Sequence, residues 1–531
     1  MKKIFKIMAF SLILCTSLSA TGCLNTNYFG KQTLSYNLGA KPVSLDPALC
    51  SETSDSNIIL ANFEGLMKLD SNNKAVPGIA SSYSQQSDTK YIFNLRNAFW
   101  SDGKSVTARD FEYAWKRALS FETAASYAYQ LFCIKNGENY NKRKTLSTDV
   151  GVRAIDDNTL EVVLEYPTPY FLEMLAQPIF MPVREDIIKQ YSDEWTESPQ
   201  KYIGNGPFKM ISLGDKIEFT RNEYYYDAEN VKLNILTFNI EENSNISLQD
   251  WEAGTVDIVE NPPVSEISRL KSENKLMVEP YLGTYFYAFN TNKEPLNDKR
   301  VRKALSFAIN RNEIIEFTAM NEVLPAAAYV PRGIPDVNDE DFRDVGGKYL
   351  NPDGQISNAK KLLSDAGYPD GKGFPALTLI YNNTNNHAQI AQAIKDMLKT
   401  NLNVDVSLKA LGWEEFADNR KRGNYEISRY GWIADYVDSL SFLELFVSEG
   451  ENNETFYSNK EYDALIMKAR KEADLEKRME YLHNAENMLM DDMPILPVFF
   501  YTNTMLINSK VKGIIKSPLG HMYFDRAYIG D

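Results

Sequence analysis

A globular fold of strands and helices divided into two to four lobes is what this sequence predicts. At 531 residues the chain is too long for one ordinary core. Short alternating runs suited to strands are interspersed with stretches suited to helices, and no long linker separates them. Hydrophobic residues make up 44% and charged residues 24%, which excludes both a disordered tail and a multi-span membrane protein. The 31 Tyr, 27 Phe and 6 Trp suit a wet recognition surface as well as a core.

The N-terminus gives the first address. Lys2, Lys3 and Lys6 precede the apolar run Ile7 to Leu18, which is too short for a comfortable transmembrane span, so residues 1–22 read as a secretion signal. The run ends in Leu18-Ser19-Ala20-Thr21-Gly22-Cys23, which resembles the lipobox of bacterial lipoproteins, with Ala20 in place of the usual large aliphatic residue. Cleavage would leave Cys23 first and lipidated, and residues 23–32 would form a short polar tether. Two acyl chains anchor stably, so the expected location is extracytoplasmic, tethered to the cell membrane. Loss of residues 1–22 removes three lysines and no acid, moving the net charge from −15 to −18 and arguing against a nucleic-acid partner. Cys50 and Cys133 remain, with a disulfide possible but two buried thiols favoured.

Taken in order, Thr33 to Leu38 reads as the first strand, Asn57 to Met67 as a helix, and Asp70 to Asn73 as turns. Tyr91 to Arg96 alternates as a strand should. Trp100 to Gly103 is a tight turn, after which Thr107 is a candidate N-cap. In Glu426 to Tyr436, Ile427, Arg429 and Gly431 fall on one side of an extended segment and Ser428, Tyr430 and Trp432 on the other. Asp438 or Ser439 is a plausible N-cap for a helix near Ser441. Asp435 therefore sits where a strand ends, beside Trp432, Ile433, Tyr436 and Val437. A carboxylate in that company stays ionised only if a cation or several donors replace its lost water. Either a ligand supplies the cation, or Asp435 caps a turn and Arg429 pairs with a neighbouring carboxylate.

Phe93-Asn94-Leu95-Arg96, Trp100-Ser101-Asp102-Gly103 and Val106-Thr107-Ala108-Arg109-Asp110-Phe111 together resemble the central motif of the peptide-binding lipoproteins of ABC importers, the family 5 solute-binding proteins. Further matches run in family order: Ser44 to Pro47, Phe63 to Leu66, Pro77 to Ala80, Asn205 to Phe208, Pro295 to Asp298, Ala366 to Tyr368, and Pro494 to Val498. Glu223 departs from the family's usual proline. The resemblance implies an α/β, two-lobed periplasmic-binding-protein-like (type II) clamshell with an extra domain inserted in the first lobe. Lobe I would comprise residues 33–63, 187–282 and 504–531, the insert 64–186, and lobe II 283–503, with two chain crossings as a hinge.

The same resemblance implies site residues. Gly431-Trp432-Ile433-Ala434-Asp435-Tyr436 matches the motif whose aspartate takes a peptide's α-ammonium. Gly431, Trp432 and Ile433, with Ser51, Glu52 and Thr53 opposite, would bind the peptide main chain as an added strand. Arg429 and His387 would meet the peptide carboxylate. Pocket walls would come from Trp413, Arg420, Tyr285, Tyr287, Tyr127, Tyr129 and Asn261, for each of which core packing or a solvated surface role is the competing reading. A lysine that serves the carboxylate in some relatives falls in Phe317-Thr318-Ala319-Met320 and is lost. The expected partners are short peptides and permease subunits of the transporter, with the chain itself a monomer.

Other classes find little support. Three histidines, no His-Glu-x-x-His and no Gly-x-Ser-x-Gly argue against an extracytoplasmic hydrolase, so no enzyme and no catalytic residue is expected. A similar clamshell carrying nickel, haem or an oligosaccharide is the alternative, as is one delivering a signalling peptide. Few histidines and cysteines argue against a metal, and no cofactor is expected.

Overall fold

The computed structural model describes residues 32–318, 322–450 and 452–530. The signal, Cys23 and the tether as far as residue 31 lie outside the described residues, as do Ala319 and Met320. Among the described residues no helix is long and apolar enough to cross a membrane.

Ten strands form one continuous path through the molecule. In chain order they are β1 (Thr33–Asn37), β2 (Phe208–Leu213), β3 (Lys216–Arg221), β4 (Ile235–Asn239), β5 (Ile258–Glu260), β6 (Leu276–Phe289), β7 (Leu377–Asn382), β8 (Val406–Leu411), β9 (Ile427–Ile433) and β10 (Ile495–Ile507). Their spatial order is β8-β7-β9-β6-β10-β5-β1-β4-β3-β2. Each half of this path is an α/β sheet with its own parallel pairs, β7 with β8 and β9 on one side, β1 with β4 and β5 on the other. The connections between those parallel strands are long and helical, as parallel pairing requires.

β6 and β10 hold the two halves together. They are 14 and 13 residues long, about twice an ordinary strand, and run antiparallel. Leu276–Pro280 pairs with Thr502–Leu506 beside β5, and Thr284–Ala288 pairs with residues 495–500 beside β9. The register shifts between Pro280 and Thr284. Gly283 sits in that break, where a Cβ would stand 2.4 Å from the Ile433 side chain and 2.7 Å from Tyr501. No larger residue fits where the two halves join. The larger apolar cluster runs from Leu34 to Ala527 and draws on both halves, with Phe286, Tyr329 and Phe442 as well as Tyr36 and Phe238, and a second is centred on Tyr285, Tyr287, Phe289 and the helices Lys299–Phe307 and Asn385–Leu402.

Between the first helix and β2 the chain makes a separate four-stranded antiparallel sheet, from Ala80–Ser87, Lys90–Leu95, Thr159–Val163 and Val152–Ala154. The expected cap at Thr107 is present: the helix is Ala108–Ala118, and the Thr107 N–H donates to Asp110 Oδ2 at 2.8 Å. The first helix differs from expectation, running Thr53–Asn62 rather than Asn57 to Met67. It is buried on nearly all sides, and its polar residues are spent inside: Asn57 donates to the Tyr36 hydroxyl and accepts from Met522 N–H, and Asp55 accepts from Val43 N–H. Without a polar outer face it carries no helical periodicity to read.

Buried ion pairs fix the second half. Arg343 grips Glu486 at 2.5 and 2.8 Å, and Arg478 grips Asp438 twice at 2.8 Å. Glu486 is fully buried and Arg343 nearly so. Removing one partner leaves a desolvated charge, so Glu486→Ala is expected to cost about 3–5 kcal/mol, read as a lower urea midpoint with an unchanged slope.

Candidate functional site

The site grows from the end of β9. Its antiparallel register with β6 sets Arg429 opposite Tyr287 and Gly431 opposite Tyr285, so the alternation expected for Ile427 to Trp432 is realised. Gly431 is required there, because a Cβ would lie 2.6 Å from the Tyr501 hydroxyl. Beyond Ile433 the strand is pulled aside. Ala434 N–H donates to Leu282 O at 2.8 Å, Asp435 N–H to Ser441 Oγ at 2.9 Å, and the Trp432 indole to Ser441 O at 2.7 Å. Ser439 takes the N-cap position of the short helix Leu440–Leu443 without a side-chain bond, while Asp438 is committed to Arg478.

This bend sets Asp435 between two cavities. One, of about 350 Å³, is lined by Ser51, Glu52, Thr53, Tyr127 and Ile433 as well as Asp435. The other, of about 460 Å³, has Tyr129, Tyr166, Tyr170, Trp432 and Tyr436 around the same carboxylate. Tyr129 and Gln130 donate to that carboxylate, and no cation acts on it among the described residues. Burial pushes its pKa up to about 7, and Glu444 adds to the rise, against the two hydrogen bonds. Glu444 is itself held by Arg470 and the Tyr436 hydroxyl, each at 2.6 Å. The turn-cap reading of Asp435 is thus not what the structure shows. A desolvated carboxylate with spare acceptor capacity beside open space is fitted to receive a cation.

A second cluster lies beyond Tyr501. Arg429 donates to the Tyr501 hydroxyl at 3.4 Å and stands 5.0 Å from the Tyr285 ring centre, and its Nε has no partner. No carboxylate acts on it among the described residues, so the expected alternative of a neighbouring acid is not realised. His387 is in the first turn of the helix Asn385–Leu402, where Thr384, rather than Asn385 or Asn386, holds the cap position. Its Nδ1 is 3.1 Å from the Tyr285 hydroxyl, and burial with the nearby Arg429 pulls its pKa down to about 4.

The remaining expected wall residues divide. Tyr127 and Tyr129 face the cavities, their rings 5.7 Å apart. Tyr285 and Tyr287 are 1% and 0% exposed and belong to the core, so neither is a cavity wall. Trp413 is 61% exposed at the start of its helix and lines neither cavity. Arg420 is paired through Nε with Glu454 at 2.5 Å and stacked 4.0 Å over Tyr430, and it lines neither cavity. Asn261 is exposed at a left-handed turn, donating its N–H to Thr504 O. Of the segment Ser51-Glu52-Thr53, only Ser51 and Glu52 precede the helix that begins at Thr53. Cys50 and Cys133 are free thiols, and Cys50 lines the first cavity. Sequence reasoning missed Gln130, Gln177, Tyr281 and His521. No local motif marks them, because a 3-10 helix, a loop and the C-terminal segment converge only in three dimensions.

Two halves joined by a paired strand, with cavities and an uncompensated charge at their meeting point, define a two-lobed solute-binding protein. The chain matches the description "Bacterial extracellular solute-binding proteins, family 5 Middle" over residues 74–454, and it belongs to that family. It is 36% identical over 548 residues to the oligopeptide-binding protein OppA of Bacillus subtilis, covering 99% of this chain and 100% of that one. Among solved structures, Listeria monocytogenes OppA bound to peptide superposes with a TM-score of 0.79 at 27% identity, covering 94% and 100% of the two chains. The Escherichia coli murein tripeptide-binding protein MppA does so at 0.78 and 32%, covering 94% and 99%.

With the halves in contact as in this structure and no ligand bound, the Asp435 carboxyl is expected to titrate near pH 7, seen by carbon NMR of labelled aspartate and lost in Asp435→Asn. Because the folded pKa is raised above the ordinary 3.8, protonation favours the fold, and that stability is lost as pH rises from about 4 through about 7. The melting temperature of Asp435→Asn should therefore gain on wild type across that interval and stay level above it.

Proposed function

We propose that this protein is a lipid-anchored receptor that captures short peptides between its two lobes and delivers them to the permease of an ABC importer. The observation that carries the reading is Asp435: a carboxylate without a cation, at the seam between the halves, with cavities on both sides. Family membership and relatives whose names describe peptide binding support it. Lobe I is assigned to residues 33–63, 187–282 and 504–531 with the insert at 64–186, and lobe II to 283–503. The break between Pro280 and Thr284 and the facing part of β10 then serve as the hinge. Cys23 carries the lipid in this reading, and the chain acts as a monomer without catalysis.

In the proposed complex the peptide's α-ammonium pairs with Asp435 and restores it to the ionised state. Its main chain runs along the end of β9, across from Ser51 and Glu52, so that backbone hydrogen bonds supply affinity without reading sequence. Arg429 offers a guanidinium with no carboxylate of its own, and His387 a neutral imidazole beside it; a peptide C-terminus would meet these two. Ligand touching both lobes shifts the population of open and closed forms towards closed, and the closed form is what the permease would receive.

Calorimetry on protein unfolded and refolded to strip co-purified ligand tests this. A tripeptide and tetrapeptide pool should bind wild type, and N-acetylation of the pool or Asp435→Ala should each weaken binding by about 2–5 kcal/mol, at least about thirtyfold. Equal binding of free and acetylated pools would remove the ammonium role from Asp435. Amidating the peptide C-terminus should likewise weaken binding to wild type and matter little in Arg429→Met.

A further inference from the structure

The first cavity carries charge of one sign only. Its lining includes two carboxylates, Glu52 and Asp435, and no lysine or arginine. Glu52 is an exposed residue at the edge of the cavity, the N-cap residue of Thr53–Asn62 without a side-chain cap, and partial burial and Asp55 both raise its pKa. Both carboxylates face the Tyr127 phenol, whose ionisation they oppose together with burial. In the second cavity the one cation, Arg470, is already taken by Glu444.

Unspent hydrogen-bonding groups surround Glu52. Gln177 lines the cavity and is 6% exposed, so its amide borders the same space. His521 lines it too, with a buried Nδ1 that lacks a partner among the described residues, and burial holds the ring neutral, its pKa drawn down to about 4. A buried ring nitrogen left unpaired costs free energy unless something enters to bond it. What enters must bring donors and positive charge, since the cavity already holds two carboxylates and a peptide ammonium can satisfy only the one at Asp435.

We propose that this cavity selects a basic side chain, arginine or lysine, on the first residue of the bound peptide, and that Glu52 and Gln177 are the specificity-determining residues. The inference rests on the peptide-receptor reading above and names the ligand class within it. A guanidinium has five donors in a planar fork, enough to reach the Glu52 carboxylate, the Gln177 carbonyl and the His521 ring together. An alanine side chain leaves all three unmet. A glutamate side chain adds a third negative charge and is repelled.

The test titrates ligand-free full-length protein with Arg-Ala-Ala, Lys-Ala-Ala, Ala-Ala-Ala and Glu-Ala-Ala. The two basic peptides should bind wild type at least about tenfold tighter than Ala-Ala-Ala, with Glu-Ala-Ala the weakest. In Glu52→Gln, and separately in Gln177→Ala, the ratio of Arg-Ala-Ala to Ala-Ala-Ala affinity should shrink to within about threefold. Equal binding of all four peptides by wild type overturns the inference and leaves the peptide-receptor reading standing. So does a basic preference that survives both substitutions. Failure of all four peptides to bind overturns the peptide-receptor reading, and this inference with it.

Discussion

Everything in this molecule hangs on the antiparallel pairing of β6 with β10. Two strands of 14 and 13 residues are long enough for each to belong to both halves, so the sheet is continuous from one half to the other, and the larger apolar cluster likewise draws on both. The register shifts between Pro280 and Thr284 and again between Tyr285 and Phe286, and at the wider of these breaks Gly283 leaves room for the Ile433 and Tyr501 side chains. A ladder with a gap at its centre resists shear but tolerates bending. That is the mechanical property a two-lobed receptor needs, and here it follows from where a proline and a glycine interrupt one strand.

The gap also explains why the charge at the seam is uncompensated. Ala434 N–H takes Leu282 O just beyond the last residue of β9, so the strand's end is tied to the flexible part of β6 and Asp435 is carried past the edge of the sheet. There it meets a phenol and an amide but no cation. Neutral donors offset part of the desolvation and do not cancel it, which is why the carboxyl lies near 7 and not near 4. Arg470, which lines the second cavity, is held by Glu444, and Arg478 by Asp438. Both arginines are thus neutralised by acids of their own, and Asp435 between the cavities has no cation among the described residues.

How much of this was legible depended on whether the signal was local. The strand Ile427–Ile433, its end just before Asp435 and the Thr107 cap were readable, because alternation and capping are properties of neighbouring residues. The lobed α/β fold followed from length and from motifs in order. The helix Thr53–Asn62 was misplaced because burial on all sides removes periodicity. The resemblance offers Tyr285 and Tyr287 as cavity walls with core packing as the competing reading, and only depth of burial, which a strand pattern does not carry, decides between the two in favour of the second core. Arg420 was unreadable for a different reason, since its partner Glu454 is 34 residues away. Gln130, Gln177 and His521 carry no pattern at all; only the convergence of three distant segments makes them neighbours of Asp435 and Glu52.

The two hydrogen bonds that Asp435 does receive come from across the seam. Tyr129 and Gln130 belong to the segment Ala128–Cys133, in the region between the first helix and β2, whereas Asp435 follows β9. One residue further on, Tyr436 stacks on Tyr170 from that same region, the rings 4.3 Å apart and nearly parallel, with both side chains buried. Contacts between the halves therefore concentrate at the charged end of β9. Separating the halves would strip the carboxylate of its donors and return it to water, where it ionises readily. Bringing them together desolvates it and raises its demand for a cation. In the proposed receptor, closure and the need for positive charge are then one event seen from two sides: a cationic group at Asp435 would offset the cost that closing imposes, and a neutral one would not.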